Sequence, residues 1–562
     1  MEVNRSNFFW MLPPILHEAQ NARFVAVDVE MSGIALIHGH NSAQDSYAKI
    51  KEAAEQFQVV QLGLTFVRYD EGLAKYMTRT FTFSVSPLFP KSTFFDNLSR
   101  RLDRKFSVSV RAYDFLQQHN FNFNKALDTG AHYLNREEQR FAKQFCVSRD
   151  PNNEHLDPSA LDYETEEFYK RTKKQIADFV AGRFQPATET TIKNPYGDRL
   201  NGLQIRLIHQ IIREEHPSYA ATRNAISGTA SIAIIDDAAK AKTEARKRWN
   251  LAEVNRLSGL QILFEALSGG SFADRMKQEY VYHQSDVPER HRTWNELNKT
   301  FDFKKCEASL KKNRPILVGH NLFMDLAYIY RTFFEPLPAN VDDFLIEINK
   351  LFPRIADTRF MYARGRHMME PDRALEKIHH FYARNPIPVV GLESGINLPG
   401  PHHAGSDSCM AASLFLKQTY TLFRAKKHLV PFEKEFYAPK KQDNQNKKDE
   451  KEPTEYSMTS WPKTSAINLL DQDDNQMLRN LERWNILDEA ASSWVVLTPG
   501  HSKAMPSVGE GPTQREPMPT SGETYSEEET HMIPLWTHDF WRAYGNKCSV
   551  PGAGFVSFEP VP

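Results

Sequence analysis

Cysteine is scarce in this chain. Cys146, Cys306, Cys409 and Cys548 are the only four in 562 residues, widely separated and with no CxxC among them. That argues against a zinc ribbon or a disulfide framework and fits a reducing compartment. No apolar run approaches the roughly 20 residues that a membrane span needs. The opening MEVNRSNFFWMLPPILHEAQ has no basic segment ahead of a clean apolar core, so neither a secretory signal nor a membrane partner is expected. A cytoplasmic or nuclear protein, or one found in both places, is the expectation. Excess charge is lacking too: the net charge is −1, so no global field draws the chain to a polyanion, and any such partner must meet a local basic surface. No internal repeat is visible.

What is present is an α/β pattern. Residues 24–30, 57–68 and 78–85 read as three successive strands, a meander opening a mixed sheet. Helical patterns follow at 108–119 and 136–148. The more polar stretch 160–249, with helices at 162–181 and in LNGLQIRLIHQIIREEHP, reads as an inserted small α/β domain. An amphipathic helix near 250–268 precedes a polar loop or lid, 269–300. RPILVGHNLFMDLAYIY then gives a short strand, a turn and a helix with Asn321 as its cap; FPRIADTRFMYARG gives another strand and AGSDSCMAASLFLKQTYTLFRA a long helix. The sheet is thus completed from far downstream. The resulting division is 1–150 for the first part of the core, 160–249 for the insertion, 250–430 for the second part and 431–562 for a tail. Within the tail, APKKQDNQNKKDEKEPTE and 501–530 read as disordered, 456–499 as partly ordered, and FWRAYGNKCSVPGAGFVSFEP has two short apolar runs.

The chemistry sits on acids in apolar places. In FVAVDVEMSGI, Asp28 and Glu30 interrupt a strand otherwise suited to burial, and at i and i+2 they project from the same face. Two carboxylates held that close do not both stay ionised without a compensating cation. Asp325 shares a helix face with Leu322, Tyr328 and Ile329. Asp407 is expected on the second turn of its helix, in line with Met410, Ala411 and Leu414. Each alone is explained by a salt bridge or a helix N-terminus. Together they offer four hard oxygen ligands, which suit Mg²⁺ or Mn²⁺ rather than zinc. Two such ions, about 4 Å apart, are the usual clamp for in-line phosphodiester hydrolysis.

With Asp28, Glu30, Asp325, Asp407 and the HHAGSD stretch in view, the chain resembles the DEDD exonucleases, whose fold is ribonuclease-H-like. His402, five residues before Asp407 with Ala404 between, fits the H-x-A-x-x-D pattern of the subclass with a histidine general base. QLGLTF, FLQQHNFNFNKALDTGAHYLNREE, KNRPILVGHNLFMDL, LPANVDDF and LFPRIADTRFM are similar to stretches of the poly(A)-specific ribonuclease family, over about 1–148 and 305–425. The resemblance implies two Mg²⁺ ions, replaceable by Mn²⁺, a homodimer, and 3′-to-5′ exoribonuclease action on the 3′ end of single-stranded RNA. Met31, Ser32 and Ile34 are implied as substrate contacts; Met31 stands where the family commonly has Phe, which bears on base preference. Poly(A) tails are the expected substrate. Precursor small RNAs trimmed at their 3′ ends are the alternative, and a non-catalytic RNA-binding scaffold is the rival from another class. The insertion departs from its family signature, with Arg206 and His209 separated by two residues instead of three. Protein partners are expected on the C-terminal tail.

Other features have plain readings. Arg100, Arg101, Arg104 and Lys105 suit either phosphate contacts or a solvated surface. Phe121 and Phe123 read as packing before base stacking, and Asp357 as a hydrogen-bond acceptor for a loop.

Overall fold

The computed structural model describes residues 1–147, 155–157, 160–182, 188–197, 199–277, 280, 292–366, 374–392, 400–429 and 533–558. The stretches read as disordered or partly ordered, 438–455, 456–499 and 501–530, lie outside the described residues, as does 281–291 of the lid.

The strands are β1 (Glu2–Val3), β2 (Phe24–Met31), β3 (Val59–Asp70), β4 (Lys75–Ser84), β5 (Glu189–Ile192), β6 (Tyr219–Asn224), β7 (Thr229–Ile234), β8 (Ile316–Gly319), β9 (Ile355–Asp357), β10 (Val390–Leu392), β11 (Lys547–Val550) and β12 (Gly554–Ser557). The central mixed sheet has the order β1-β4-β3-β2-β8-β9, with β10 also on β4. β2, β3 and β4 form the expected antiparallel meander, and β8 and β9 join it parallel from far downstream.

Side chains alternate across β2 and set up two layers. Val25, Val27 and Val29 enter a large cluster with residues of the helices Phe8–Asn21, Ala43–Gln56, Leu260–Leu267 and Phe323–Phe333. Phe24 and Ala26 face the other way, onto Ala411, Ala412 and Phe415 of the helix Ala404–Arg424. Asp28 and Glu30 continue that second face. β8 pairs with β2 only from Phe24 to Ala26, so β2 outruns its neighbour and carries both acids beyond it. Several helices start where their sequences cap them. Asn201 and Gln204 form a capping box, and the side chains of Ser42 and Asn340 accept from backbone three residues on.

The insertion holds a three-stranded antiparallel sheet, β5-β7-β6, and the helices Tyr163–Val180 and Gly202–Glu215, which share an apolar cluster of their own. The single helix expected near 250–268 is two. Asp237–Leu257 and Leu260–Leu267 are broken at Gly259, whose φ of +46° and close approach to the His132 carbonyl require a residue without Cβ. The lid stretch is also more regular than expected, with a helix at Arg292–Thr300. Residues 533–558 pack against the core: Trp541 stacks on Phe415, and β11–β12 form a hairpin beside β9. No helix among the described residues is long and apolar enough to cross a membrane.

Candidate active site

Asp28 lies opposite Gly63 and Glu30 opposite Gln61 on β3. That pairing seats the Asp407 helix above them. Gln61 Oε1 accepts from the Ala404 N–H at 2.9 Å, and a Cβ on Gly63 would lie 1.9 Å from the Ala404 carbonyl oxygen. The helix Ala404–Arg424 therefore approaches the strand as closely as a backbone can, with His403 as its cap. Asp407 falls on its first turn, not the second, because the helix begins only at Ala404, three residues before it.

Asp28, Glu30 and Asp407 each present a carboxylate oxygen such that all three lie within 4.8 Å of one another. Asp325 stands beside this set, buried on the first turn of the helix Phe323–Phe333. Asn321 does not cap that helix. It sits one residue earlier in the left-handed region, φ +59°, where asparagine is tolerated, and Leu322 takes the cap position.

Burial and mutual repulsion dominate the electrostatics of these acids. Burial pushes Asp28 well up from the carboxylate range, and Asp325, Glu30 and Asp407 add repulsion. Burial, then Asp407 and Asp325, push Glu30 up to about 8. Asp325 is raised by burial. Asp407 is pushed up to about 6 by burial, partly offset by the His402 N–H, which donates to its Oδ2 at 3.2 Å. Its Oδ1 is buried with no hydrogen-bond partner. A buried carboxylate oxygen without a partner, on an acid gathered with two others, is a cation cradle by donor chemistry. The residues present fit a divalent metal held by oxygen.

His402 is exposed, with φ +61°. Its ring packs edge-on against His119 and Phe115, at centroid distances of 4.4 and 4.8 Å, on the end of the helix Val110–Gln118 and just past it. The structure thus brings the backbone of His402 to Asp407 and its ring to a second histidine. Burial and His119 lower its proton affinity. His119 and Glu376, neither evident from the sequence, bear on Asp407 with opposite charge effects. His119 lies in the turn just past the helix Val110–Gln118 and Glu376 near the start of the helix Leu375–Ala383, where nothing in the sequence pattern marks them.

Of the implied substrate contacts, Met31 is half-buried and Ile34 is 48% exposed. Ser32 is fully buried, with its hydroxyl donating to the Ser107 carbonyl and accepting from the Gln58 N–H. It ties the turn after Glu30 to the neighbouring chain and offers no side-chain face to a ligand. Arg104 is also committed elsewhere. Its guanidinium makes a bidentate pair with Glu138, bonds two carbonyls and lies over Phe89 and Tyr133, so it is a packing element and not a phosphate contact. Phe123 is buried against Tyr113 and Phe121, as the packing reading has it. Asp357, fully buried, accepts from the N–H groups of Asn321, Arg359 and Ser549.

A mixed α/β sheet that gathers partly buried acids from one strand and two helices, at the point where that strand outruns its neighbour, defines a carboxylate-cluster nuclease core. Its family is shown by comparison: the model of the CAF1 family ribonucleases matches residues 3–415, and the chain belongs to that family. It is 27% identical over 374 residues to the poly(A)-specific ribonuclease PARN of Xenopus laevis, covering 64% of this chain and 52% of that protein. It is 23% identical over 440 residues to the pre-piRNA 3′-exonuclease trimmer of Bombyx mori, covering 74% of this chain and 70% of that protein. Among solved structures, the Mg²⁺- and Mn²⁺-bound form of S. pombe Pop2p aligns over 74% of this chain and 89% of that one, at 10% identity and a TM-score of 0.32. The chain spans about half the length of the poly(A)-specific ribonucleases it matches. The resemblance read from the motifs thereby stands.

Proposed function

We propose that this chain is a metal-dependent 3′-to-5′ exoribonuclease that shortens single-stranded RNA and releases 5′-nucleotides. The observation that carries the reading is the convergence of Asp28, Glu30 and Asp407, with Asp325 beside them, in a member of a ribonuclease family. When bound, two Mg²⁺ ions, or Mn²⁺ in their place, supply the positive charge that stabilises the attacking and departing oxygens. Asp28, Glu30, Asp325 and Asp407 hold that charge in place. His402 swings from its seat on His119 and takes the proton of the attacking water, a task suited to an imidazole whose proton affinity burial has lowered. Ile34, exposed on the turn after Glu30, and Met31 meet the terminal bases, while Ser32 fixes the turn. A contact to the 2′-OH sets RNA over DNA. In the same reading the working unit is a homodimer.

Trimming of precursor small RNAs is a second reading, supported by the longer match. The chain aligns over 70% of the Bombyx mori trimmer against 52% of the Xenopus laevis enzyme. One tube with two 5′-labelled RNAs, one ending in an A-tract and one in mixed sequence, tests both readings in magnesium and then in EDTA. Shortening of the A-tract alone identifies a deadenylase; equal shortening identifies a general trimmer. Failure to shorten either RNA, with both bound, overturns the enzyme reading in favour of a scaffold.

A further inference from the structure

The C-terminal residues 533–558 come back to the core after the long stretch 430–532, and where they land is informative. Asn546 joins the edge of β9: its N–H donates to the Ile355 carbonyl at 2.8 Å, its Oδ1 accepts from the Ile355 N–H at 2.9 Å, and its Nδ2 donates to the Pro353 carbonyl. Three residues on, the Ser549 N–H donates to Asp357 Oδ2 at 2.8 Å, in a fully buried place. The other oxygen of Asp357 accepts from the N–H of Asn321, the left-handed residue of the turn that launches the Asp325 helix. Cys548, without solvent exposure, lies beside both Asp357 and Asp325.

The other end of the hairpin reaches the loop behind Glu30. The Gly552 carbonyl accepts from the Asn41 N–H at 2.8 Å, and the Pro551 carbonyl from the Ser46 hydroxyl at 2.8 Å. Gly552 has φ +73°, and a Cβ there would lie 2.8 Å from Ile37. The loop and the Asp325 helix are themselves tied, since the buried Tyr328 hydroxyl donates to the Gly33 carbonyl.

We propose that the C-terminal hairpin is a positioning element of the acid site, with two separable duties. Through Ser549 and Asp357 it fixes the turn that aims Asp325; through Gly552 at Asn41 and Pro551 at Ser46 of the helix Ala43–Gln56 it fixes the loop that follows Met31 and carries Ile34. The inference rests on the proposed exoribonuclease reading for its activity readouts but not for its binding and exchange readouts.

The two duties predict different defects in the full-length chain. Ser549 stands opposite Phe555 with its N–H turned to Asp357, so Ser549→Pro removes the donor to the carboxylate. Groups hydrogen-bonded directly to a metal ligand are typically worth about 10–100-fold in metal affinity, and Ser549 acts one step further out, through Asp357 and the Asn321 turn. Ser549→Pro is therefore expected to raise the Kd for Mn²⁺ by up to about tenfold. It is also expected to speed amide exchange over 321–325 in EDTA, where no metal takes part. Ser549→Ala keeps the N–H and should match the unsubstituted chain. Gly552→Ala is expected to raise KM for RNA severalfold while leaving Mn²⁺ affinity and 321–325 exchange unchanged. A purely structural role would lower the unfolding midpoint and degrade all readouts together, and that parallel loss would overturn the proposal. So would unchanged Mn²⁺ affinity and exchange in Ser549→Pro. Should Ser549→Pro not fold, Gly552→Ala decides alone: a KM defect without a Mn²⁺ defect supports the assignment, and any other pattern refutes it. If the chain binds Mn²⁺ but shortens no RNA, the exoribonuclease reading fails while the Mn²⁺ and exchange results still judge the hairpin.

Discussion

Glu30 offers a prediction that needs no substrate. Its carboxyl is moved from 4.5 to about 8 by burial and by the charges of Asp407 and Asp325. In the metal-free protein between those pH values, the folded state holds a proton that the unfolded chain has released. The folded state therefore binds more protons, and stability must fall as pH rises from about 4.5 to about 8. At about 1.4 kcal/mol for each tenfold change in proton affinity, the full displacement corresponds to roughly 4–5 kcal/mol. Glu30 is only half-buried, so water screens part of this, leaving an expected loss of about 2–3 kcal/mol. Glu30→Gln has no such proton to lose, so in EDTA it should be close to the unsubstituted chain at pH 5 and more stable at pH 8.5. Urea midpoints of the two proteins across this range give the comparison. Saturating Mg²⁺ should reverse the order at pH 8.5, because the intact cradle alone gains the binding free energy. Parallel stability curves in EDTA would refute the electrostatic reasoning, whatever the enzyme does with RNA.

Other consequences follow from single contacts. Gly63→Ala places a methyl against the Ala404 carbonyl and must displace the start of the Asp407 helix. Misplacement on the order of 1 Å costs about 100-fold in rate, so kcat should fall by that order while the circular dichroism spectrum is retained. Arg104→Met leaves Glu138 without its partner in a largely buried place and should destabilise by about 3–5 kcal/mol. The salt dependence of RNA binding should not change, which a titration at several ionic strengths would show. His402→Gln should lower kcat by about 10²–10⁴-fold with Mn²⁺ affinity preserved. In the unsubstituted chain the rate of RNA shortening should fall as pH drops below about 6, since protonation of Asp407 and of His402, whose proton affinity is lowered, acts in the same direction.

The parts of the site legible in the sequence were those that break a local rule. Asp28 and Glu30 stand out because a strand covered on both faces has no use for charge, and Asp325 because it sits in an apolar helix stripe. Gln61 and Gly63 were half-legible: a polar residue and a glycine inside the buried QLGLTF strand mark a close backbone approach, but not what approaches. His119 and Glu376 carry no such mark. The burial of Arg104 depends on Glu138, 34 residues away, and the commitment of Ser32 on Ser107 and Gln58. The C-terminal hairpin is the extreme case, since its anchor Asp357 lies 192 residues upstream of Ser549. Periodicity reports which face of an element is buried, not which distant partner buries it. The unbroken helix near 250–268 failed for a local reason, because Gly259 within an apolar run reads as tolerated until its left-handed backbone is seen.

The central claim is that four acids hold a divalent cation and that the chemistry depends on it. Titration of the metal-free full-length chain with Mn²⁺, followed by the spin resonance signal of the free ion, tests it most directly when Asp28→Asn is run beside it. The account predicts uptake of two ions by the unsubstituted chain, and weakened uptake with loss of RNA shortening in Asp28→Asn, while RNA binding is kept. Undiminished Mn²⁺ uptake and full turnover by Asp28→Asn would contradict it.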